Sequence, residues 1–186
     1  MDIIEDVLMF WFGDSDPMLD GENRKRWFVK DQAFDAEIKD KFMSIVDAAA
    51  AGEHDGLAAT AVGSLALCIL LDQFSRNLFR GKPQAFATDD SARRIASQAI
   101  EAGHDQTLAP VKRIFLYLPF EHSENLADQV RSVELYRALG NQDNYRYALE
   151  HHYVISRFGR FPTRNAALDR ESTPEEQAFL ATFTAF

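Results

Sequence analysis

The chain has 186 residues, of which 46% are hydrophobic and 26% charged. This composition excludes a disordered protein and predicts one globular domain over residues 1–186. The net charge of −9 argues against nucleic acid or a membrane as partner. The first residues lack the features of a signal peptide and no apolar run is long enough to span a bilayer, so we expect a cytoplasmic protein.

Helical periodicity dominates the first part of the chain. Asp2 is placed to cap a helix that runs to about Phe12 and ends at Gly13. A short segment is predicted at residues 24–29. Its Trp27 and Phe28, like Trp11 and Phe12, are expected to pack the amino-terminal helices or, alternatively, to form an aromatic wall of a pocket. A second helix, capped by Asp31 and closed by Gly52, has apolar positions at helical spacing. These positions are Phe34, Ile38, Phe42, Ile45 and Val46.

The remaining chain predicts further helices joined by short loops. A long helix is predicted over residues 57–79, and its middle is apolar on every side, which is typical of a buried helix. Thr88 is placed to cap the next helix, which ends before Gly103. Pro110 begins a helix that Pro119 breaks near residue 118. Helices over 124–139 and 144–158 follow, and a capping box at Thr173 begins the last one.

The predicted fold class is therefore all-α. Short loops pair neighbouring helices antiparallel, as in a tetratricopeptide-like right-handed helical array or a compact bundle. No convincing copy of a repeat of about 34 residues was found.

The first candidate site is the polar end of the long helix. Asp72, Arg76 and Arg80 follow one another at intervals of four and share one helix face. Either this end emerges into water with an Asp72–Arg76 ion pair, or it faces an internal cleft. The sequence leaves both possibilities open.

The second candidate site is the turn after Pro119. His122 and Glu124 lie there between two helices, where functional groups often occur. The alternative is structural: Ser123 caps the following helix and Glu124 interacts with the helix dipole.

The third candidate site combines His151 with the loop that follows its helix. This loop carries Arg160, Arg164 and Asn165, and residues 150–170 hold four arginines against two acids. Arginines on a bent loop suit bidentate recognition of a carboxylate or phosphate. Alternatively, they neutralise acidic groups of the same chain.

Several common chemistries have no sequence support. There is no phosphate-binding glycine loop, no zinc-protease motif and no nucleophile elbow. The spacing of the histidines does not favour a metal site, so we predict no metal and no cofactor. The only cysteine, Cys68, lies within an apolar run and is predicted to be an inert core residue.

Three sequence motifs resemble those of a bacterial family catalogued as a domain of unknown function. They are LDQFSRNLFRG at 71–81, YLPFEHSE at 117–124 and FGRFPTRN at 158–165. The resemblance covers essentially the whole chain and implies an all-helical, tetratricopeptide-like fold without an established activity. His151 matches the family's histidine before the third motif. Ser75 stands where proline is common, and Thr163 stands where histidine is common.

These observations lead to three hypotheses about function. The first is a ligand-binding helical domain whose cleft gathers the arginines, histidines and Glu124 around a small anionic metabolite or a peptide carboxylate. In this hypothesis Arg76 lies within about 10 Å of His122 or His151. The second is a hydrolase or lyase with His122 and Glu124 as tentative catalytic acid and base. The third is a helical scaffold that binds a protein partner.

Overall fold

Helices form all the regular structure in the described part of the chain, which is residues 2–19 and 27–183 of a computed structural model. The all-helical fold class is confirmed, and no strand occurs within those ranges. Residues 24–26 of the predicted 24–29 segment lie outside the described residues. The α-helices are α1 (Ile3–Phe12), α2 (Gln32–Ala50), α3 (Ala61–Cys68), α4 (Ser75–Leu78), α5 (Asp89–Glu101), α6 (Pro110–Glu121), α7 (Leu126–Leu139), α8 (Gln142–Phe158) and α9 (Pro174–Leu180). A π-turn (Ile69–Phe74) joins α3 to α4, and 3-10 turns occur at Asp55–Ala59, Pro83–Ala85, His104–Thr107 and Pro162–Arg164.

Capping residues begin and end several helices as the sequence predicts. Asp2 accepts hydrogen bonds from the backbone of α1, and Gly13 ends that helix in the left-handed conformation, with φ of 76°. Asp31 caps α2 in the same way as Asp2 caps α1. At α9, Thr173 and Glu176 form the expected reciprocal capping box.

The prediction of one long, regular helix over residues 57–79 is wrong in two respects. The α-helix begins at Ala61 rather than at Leu57, because Thr60 is extended and its hydroxyl caps the first turn at Gly63. The helix also widens into the π-turn between α3 and α4, so it is not regular along its length. Its central residues are buried, as predicted.

Thr88 does not cap α5. Its hydroxyl instead donates a hydrogen bond to the carbonyl oxygen of Leu71, in the π-turn, and lies 3.1 Å from the Ser75 hydroxyl. The side chain therefore supports the buried π-turn and leaves the first turn of its own helix without a side-chain cap.

Pro119 does not break α6, which continues to Glu121. Proline removes one backbone donor near the end of the helix, and the side chain of Gln129 stabilises the last turn by donating to nearby carbonyl oxygens. These are the oxygens of Phe120 at 3.4 Å, Glu121 at 2.6 Å and Ser123 at 2.7 Å.

The next two helices also begin at other residues than expected. Asn125, and not Ser123, caps α7, whose first residue is Leu126 instead of residue 124. Asn141 caps α8, which starts two residues earlier than predicted.

The chain divides into two compact units. The first comprises the described residues up to Arg80 together with Gln84–Pro119. In its core, the ring of Trp11 lies between 5.5 and 5.9 Å from four other aromatic rings, measured between centroids. These rings are Trp27, Phe34, Phe74 and Phe115. Cys68 is buried in this unit, and burial raises the pKa of its thiol, which makes it unreactive.

The second unit comprises Gly81–Pro83 and the described residues from Phe120 onward. Here α7 and α8 pack antiparallel across Gly140, whose φ of 82° permits the tight connection. A small apolar cluster lies beyond them and consists of Val154, Ile155 and Phe161, with Phe158 and Phe179 packed against it. The prediction of one domain over residues 1–186 stays a prediction.

None of the helices in the described ranges combines the length and the apolar character that crossing a membrane requires.

Candidate functional site

In the first unit, Arg76 is held by two carboxylates. Its guanidinium lies 2.9 Å from Asp72 and forms a bidentate pair with Asp89 at 2.8 and 3.0 Å. Burial disfavours the charged guanidinium, but the two carboxylates outweigh burial and raise the pKa of Arg76. Asp72 itself is fully buried and also accepts a hydrogen bond from Gln73. The predicted Asp72–Arg76 pair therefore exists as part of a buried network.

Contrary to the prediction, Arg80 does not share a helix face with Arg76. Because α4 ends at Leu78, the side chain of Arg80 reaches Asp35 on α2, with contacts of 2.5 and 2.9 Å. Asn77 donates to the same carboxylate at 2.8 Å. Burial alone would raise the pKa of Asp35, but the bonds from Arg80 and Asn77 lower it.

In the second unit, Glu124 connects the turn after α6 to the loop after α8. Its carboxylate accepts a hydrogen bond from the backbone N–H of Phe161 at 2.8 Å and a bidentate pair from Arg170 at 2.7 and 3.0 Å. Partial burial would raise the pKa of Glu124, but these bonds lower it. A carboxylate held in this way accepts a proton less readily, so its contacts favour a positioning role.

Two histidines come close together in this unit. His151 is buried on α8, and His122 is half-buried on the turn after α6. Their ring centroids are 6.2 Å apart, although α7 separates them in sequence. Nδ1 of His151 lies 2.8 Å from the carbonyl oxygen of Tyr147 and 3.3 Å from Oε1 of Glu121.

Arg164 lies at the same place. It donates a hydrogen bond of 2.8 Å to the carbonyl oxygen of His122. Its guanidinium stacks 4.5 Å from the ring of Phe161, whose edge-to-face contact with His151 has a centroid distance of 5.6 Å. His151 and Arg164 thus contact the same aromatic ring, and His122 is next to His151 through its ring and next to Arg164 through its backbone carbonyl. We call His122, His151 and Arg164 the histidine–arginine cluster.

Arg160 and Asn165 attach the same loop to α9. Arg160 forms a bidentate pair with Glu176 at 2.6 and 2.8 Å, and Asn165 donates to Glu176 at 3.3 Å. The bond from Arg160 lowers the pKa of Glu176 to about 2. These contacts fix the loop that carries Arg164.

The predicted site residues are therefore divided between the two units. Asp72, Arg76 and Arg80 belong to the first unit, and the other six belong to the second. A common cleft that includes Arg76 and the histidines stays a prediction, as do the individual roles of all nine residues.

Sequence reasoning missed the carboxylates and the arginine that hold these groups. Arg76 contacts Asp89, His151 contacts Glu121, and Arg160 contacts Glu176. The carboxylate of Glu124 is held by Arg170. The buried Glu121 immediately follows the apolar residues 115–120, and that position is the signal that could have singled it out.

Among the described residues, no group of three or more histidine, cysteine, aspartate or glutamate side chains is arranged to hold a metal ion.

Comparison with known proteins identifies the family. Residues 7–183 match the sequence model of a family described as bacterial protein of unknown function (DUF924). The chain belongs to this DUF924 family. The resemblance indicated by the three motifs is thereby confirmed.

A solved structure of similar sequence supports the fold. A protein of unknown function from Agrobacterium tumefaciens is 43% identical, and the match covers 96% of each chain with a TM-score of 0.88. No curated protein matched the chain.

Proposed function

We propose that this DUF924 protein binds a small anionic metabolite or a peptide carboxylate at the histidine–arginine cluster. The observation that carries the proposal is the approach of His122 and His151 to 6.2 Å, with Arg164 bonded to the backbone of His122. Three side chains able to donate to an anion thus come from three separate segments.

The surrounding contacts support a preformed site. The turn after α6 is connected to the loop after α8 by Glu124, which bonds to Arg170 and to the backbone of Phe161. The pair of Arg160 with Glu176 fixes the loop after α8 to α9. A loop held at both ends loses little conformational freedom when a ligand binds, which favours affinity.

Arg164 lies beside both histidines, because it bonds to the backbone of His122 and stacks on Phe161, whose ring contacts His151. Arg160 and Asn165 bond to Glu176 and hold the loop that carries Arg164. We therefore assign the anion contact to Arg164 and a supporting role to Arg160 and Asn165.

Thermal unfolding with added anions tests the proposal. Phosphate and small dicarboxylates are compared with chloride at equal ionic strength. A ligand at about 100 times its Kd stabilises the folded state by about 2.7 kcal/mol, so the melting temperature rises by roughly 5–10 °C. We expect Arg164→Gln to remove most of this increase.

Arg137→Gln is the matched control, because it removes the same charge at an exposed position on α7. Its response to anions should equal that of the parent protein. Equal responses of the parent, Arg164→Gln and Arg137→Gln to every anion would contradict the proposal and favour the protein-binding scaffold.

A reaction at the same cluster is the second candidate function. The observation that favours it is the buried contact of 3.3 Å between Glu121 and His151, since a carboxylate beside an imidazole suits acid–base chemistry. His122 would then be the tentative acid or base of a hydrolase or lyase. Mass spectrometry of anions that stabilise the protein, before and after incubation, would show whether any is converted.

A further inference from the structure

We propose that a groove between α1 and α2, in the first unit, binds a small organic ammonium ion. The carboxylate of Asp6 is its counter-charge, and apolar side chains surround its carbon skeleton. The groove holds a cavity of about 460 Å³, a volume typical of small-molecule sites. This site shares no residue with the histidine–arginine cluster, and the proposal does not depend on anion binding there.

Apolar side chains form most of the cavity wall. Phe42 and Ile45 of α2 are only 3% and 6% exposed, whereas Met9 of α1 is 46% exposed and borders the solvent. Phe10 of α1 lies against Phe42, with ring centroids 5.0 Å apart. The other two lining residues are charged. A largely apolar cavity with so few charged groups suits a ligand that has an apolar body and one charged group.

Asp6 lines this cavity as a carboxylate without a counter-charge. Its Oδ2 atom is shielded from water and has no hydrogen-bond partner in the described part of the chain. By contrast, Asp35, Glu124 and Glu176 each bond to an arginine. An unpaired charge beside an apolar cavity costs free energy, which a bound ammonium would offset by ion pairing and hydrogen bonding. Because no described residue holds the carboxylate, its rotation can present either oxygen to the ligand.

Lys41 is the second charged residue of the cavity, and it pairs with Glu37 instead of Asp6. Its Nζ lies 2.9 Å from Glu37 and 5.2 Å from the centroid of the Phe10 ring. Phe10 is one turn after Asp6 on α1, so the ring and the carboxylate are neighbours. A ligand ammonium that pairs with Asp6 would compete with Lys41 for the face of this ring. Lys41 should therefore weaken binding.

The charge of the surrounding chain also favours a cation. The protein carries a net charge of −9, and residues 31–55, which include α2, hold two bases against seven acids. A field of this sign raises the local concentration of cations and their rate of association.

The first experiment uses methyl NMR of the full chain at pH 7. It compares 2-phenylethylammonium with 2-phenylethanol, its neutral analogue. We expect the ammonium to shift the Met9 methyl signal, assigned with Met9→Leu, in a saturable way. Since a hydrogen bond to a charged group changes affinity by about tenfold or more, the ammonium should bind at least about ten times more tightly than the alcohol. Met18, which is 65% exposed and lies outside the cavity, is the internal reference.

Equal affinities of the ammonium and the alcohol would overturn the assigned ligand class. A Met9 signal that stays unchanged with the ammonium, or that shifts only as the Met18 signal does, would overturn the site itself.

The second experiment tests the role of Asp6. Asp6→Asn keeps the shape of the side chain and should reduce the affinity for 2-phenylethylammonium to about that for the alcohol. Glu5→Gln is the matched control, because Glu5 is exposed and also lies in the first turn of α1. It removes the same charge at the same helix end and should bind the ammonium as the parent does. An unchanged affinity in Asp6→Asn would overturn the assignment of the counter-charge.

The third experiment tests the competition with Lys41. Lys41→Gln should raise the affinity for 2-phenylethylammonium about two- to fivefold, because it removes a cation from the cavity. Lys39→Gln, at an exposed position of α2, changes the net charge equally and should have little effect. A gain in affinity cannot come from damage to the fold. An affinity that does not rise in Lys41→Gln would overturn the placement of the ammonium beside Phe10.

Discussion

Gly63 occupies a position where no side chain fits. A Cβ atom built there would lie 1.9 Å from the carbonyl oxygen of Leu57 and 2.8 Å from its carbonyl carbon. Both atoms belong to the backbone, so the collision cannot be relieved by a change of rotamer. The close approach lets the 3-10 turn at Asp55–Ala59 pack directly against the start of α3.

Gly63→Ala should therefore lower the free energy of unfolding by about 2–3 kcal/mol, because the backbone must shift to admit the methyl group. Gly56→Ala is the matched control, since a Cβ there meets no atom within 4 Å. Urea unfolding at neutral pH measures both. Equal denaturation midpoints for the two variants would show that the packing at Gly63 is looser than described.

Glu176 gives the second unit a stability that depends on pH. Its bonds to Arg160 lower its pKa from the ordinary 4.5 to about 2 in the folded protein. A group whose pKa is lowered by folding stabilises the protein above its unfolded pKa. This contribution should be complete above about pH 5 and should fall away as the pH drops towards 2.

Glu176→Gln should destabilise the protein by about 2 kcal/mol at pH 7, and the difference from the parent should shrink as the pH falls to 3. Glu175→Gln changes the adjacent, exposed carboxylate and its pair with Arg157, which should contribute much less to stability because water screens exposed ion pairs. Denaturant unfolding over pH 3–7 measures both variants. A difference between Glu176→Gln and the parent that stays constant across this range would contradict the assignment.

At the scale of the secondary-structure element, side chains satisfy three successive carbonyl oxygens of the π-turn. Ser75 donates to the oxygen of Leu70, Thr88 to that of Leu71, and Arg76 to that of Asp72. A π-turn displaces carbonyls from the regular α-helical pattern. These donors therefore account for its presence inside a buried helix.

Thr88→Val should cost about 1–2 kcal/mol of stability, because it leaves the carbonyl oxygen of Leu71 without this donor at nearly unchanged volume. Thr107→Val is the matched control, since the exposed Thr107 hydroxyl also donates to a carbonyl, that of His104. Its loss should cost less than about 0.5 kcal/mol. Similar melting temperatures for the two variants would contradict the role assigned to Thr88.

The caps of α1, α2 and α9 could be predicted from sequence because a cap depends on residues within one turn. Thr88 shows the limit of such reasoning. Its position before two aspartates is typical of a cap, but its hydroxyl bonds to Leu71, which lies far away in sequence. The π-turn was missed for the same reason, since the donors that support it include a side chain from another element.

For the candidate site, the sequence likewise indicated single residues but not their partners. Polar residues in a turn and in a bent loop indicated His122, Glu124 and Arg164. The sequence could not show which carboxylate each arginine contacts, because those pairs join distant segments. Arg80 contacts Asp35 and Arg160 contacts Glu176, and only the folded chain reveals that both charges are neutralised locally.

At the scale of the whole molecule, the net charge of −9 opposes the approach of an anion. Long-range attraction from the protein as a whole would not bring an anion to the surface. Binding must therefore depend on short-range contacts at the histidine–arginine cluster. Because such contacts are screened less than those between exposed charges, we expect the affinity for phosphate to fall only modestly between low and physiological salt.

The most direct test of anion binding at this cluster is a phosphate titration followed through the histidine side-chain signals. His122 and His151 belong to the cluster, whereas His54, before the 3-10 turn in the first unit, is an internal reference. We predict that the His122 and His151 signals shift together and saturably, that Arg164→Gln weakens the response, and that His54 does not saturate with them. If the signals of His122 and His151 stay unchanged, or shift only as the His54 signal does, the result would contradict anion binding at the histidine–arginine cluster.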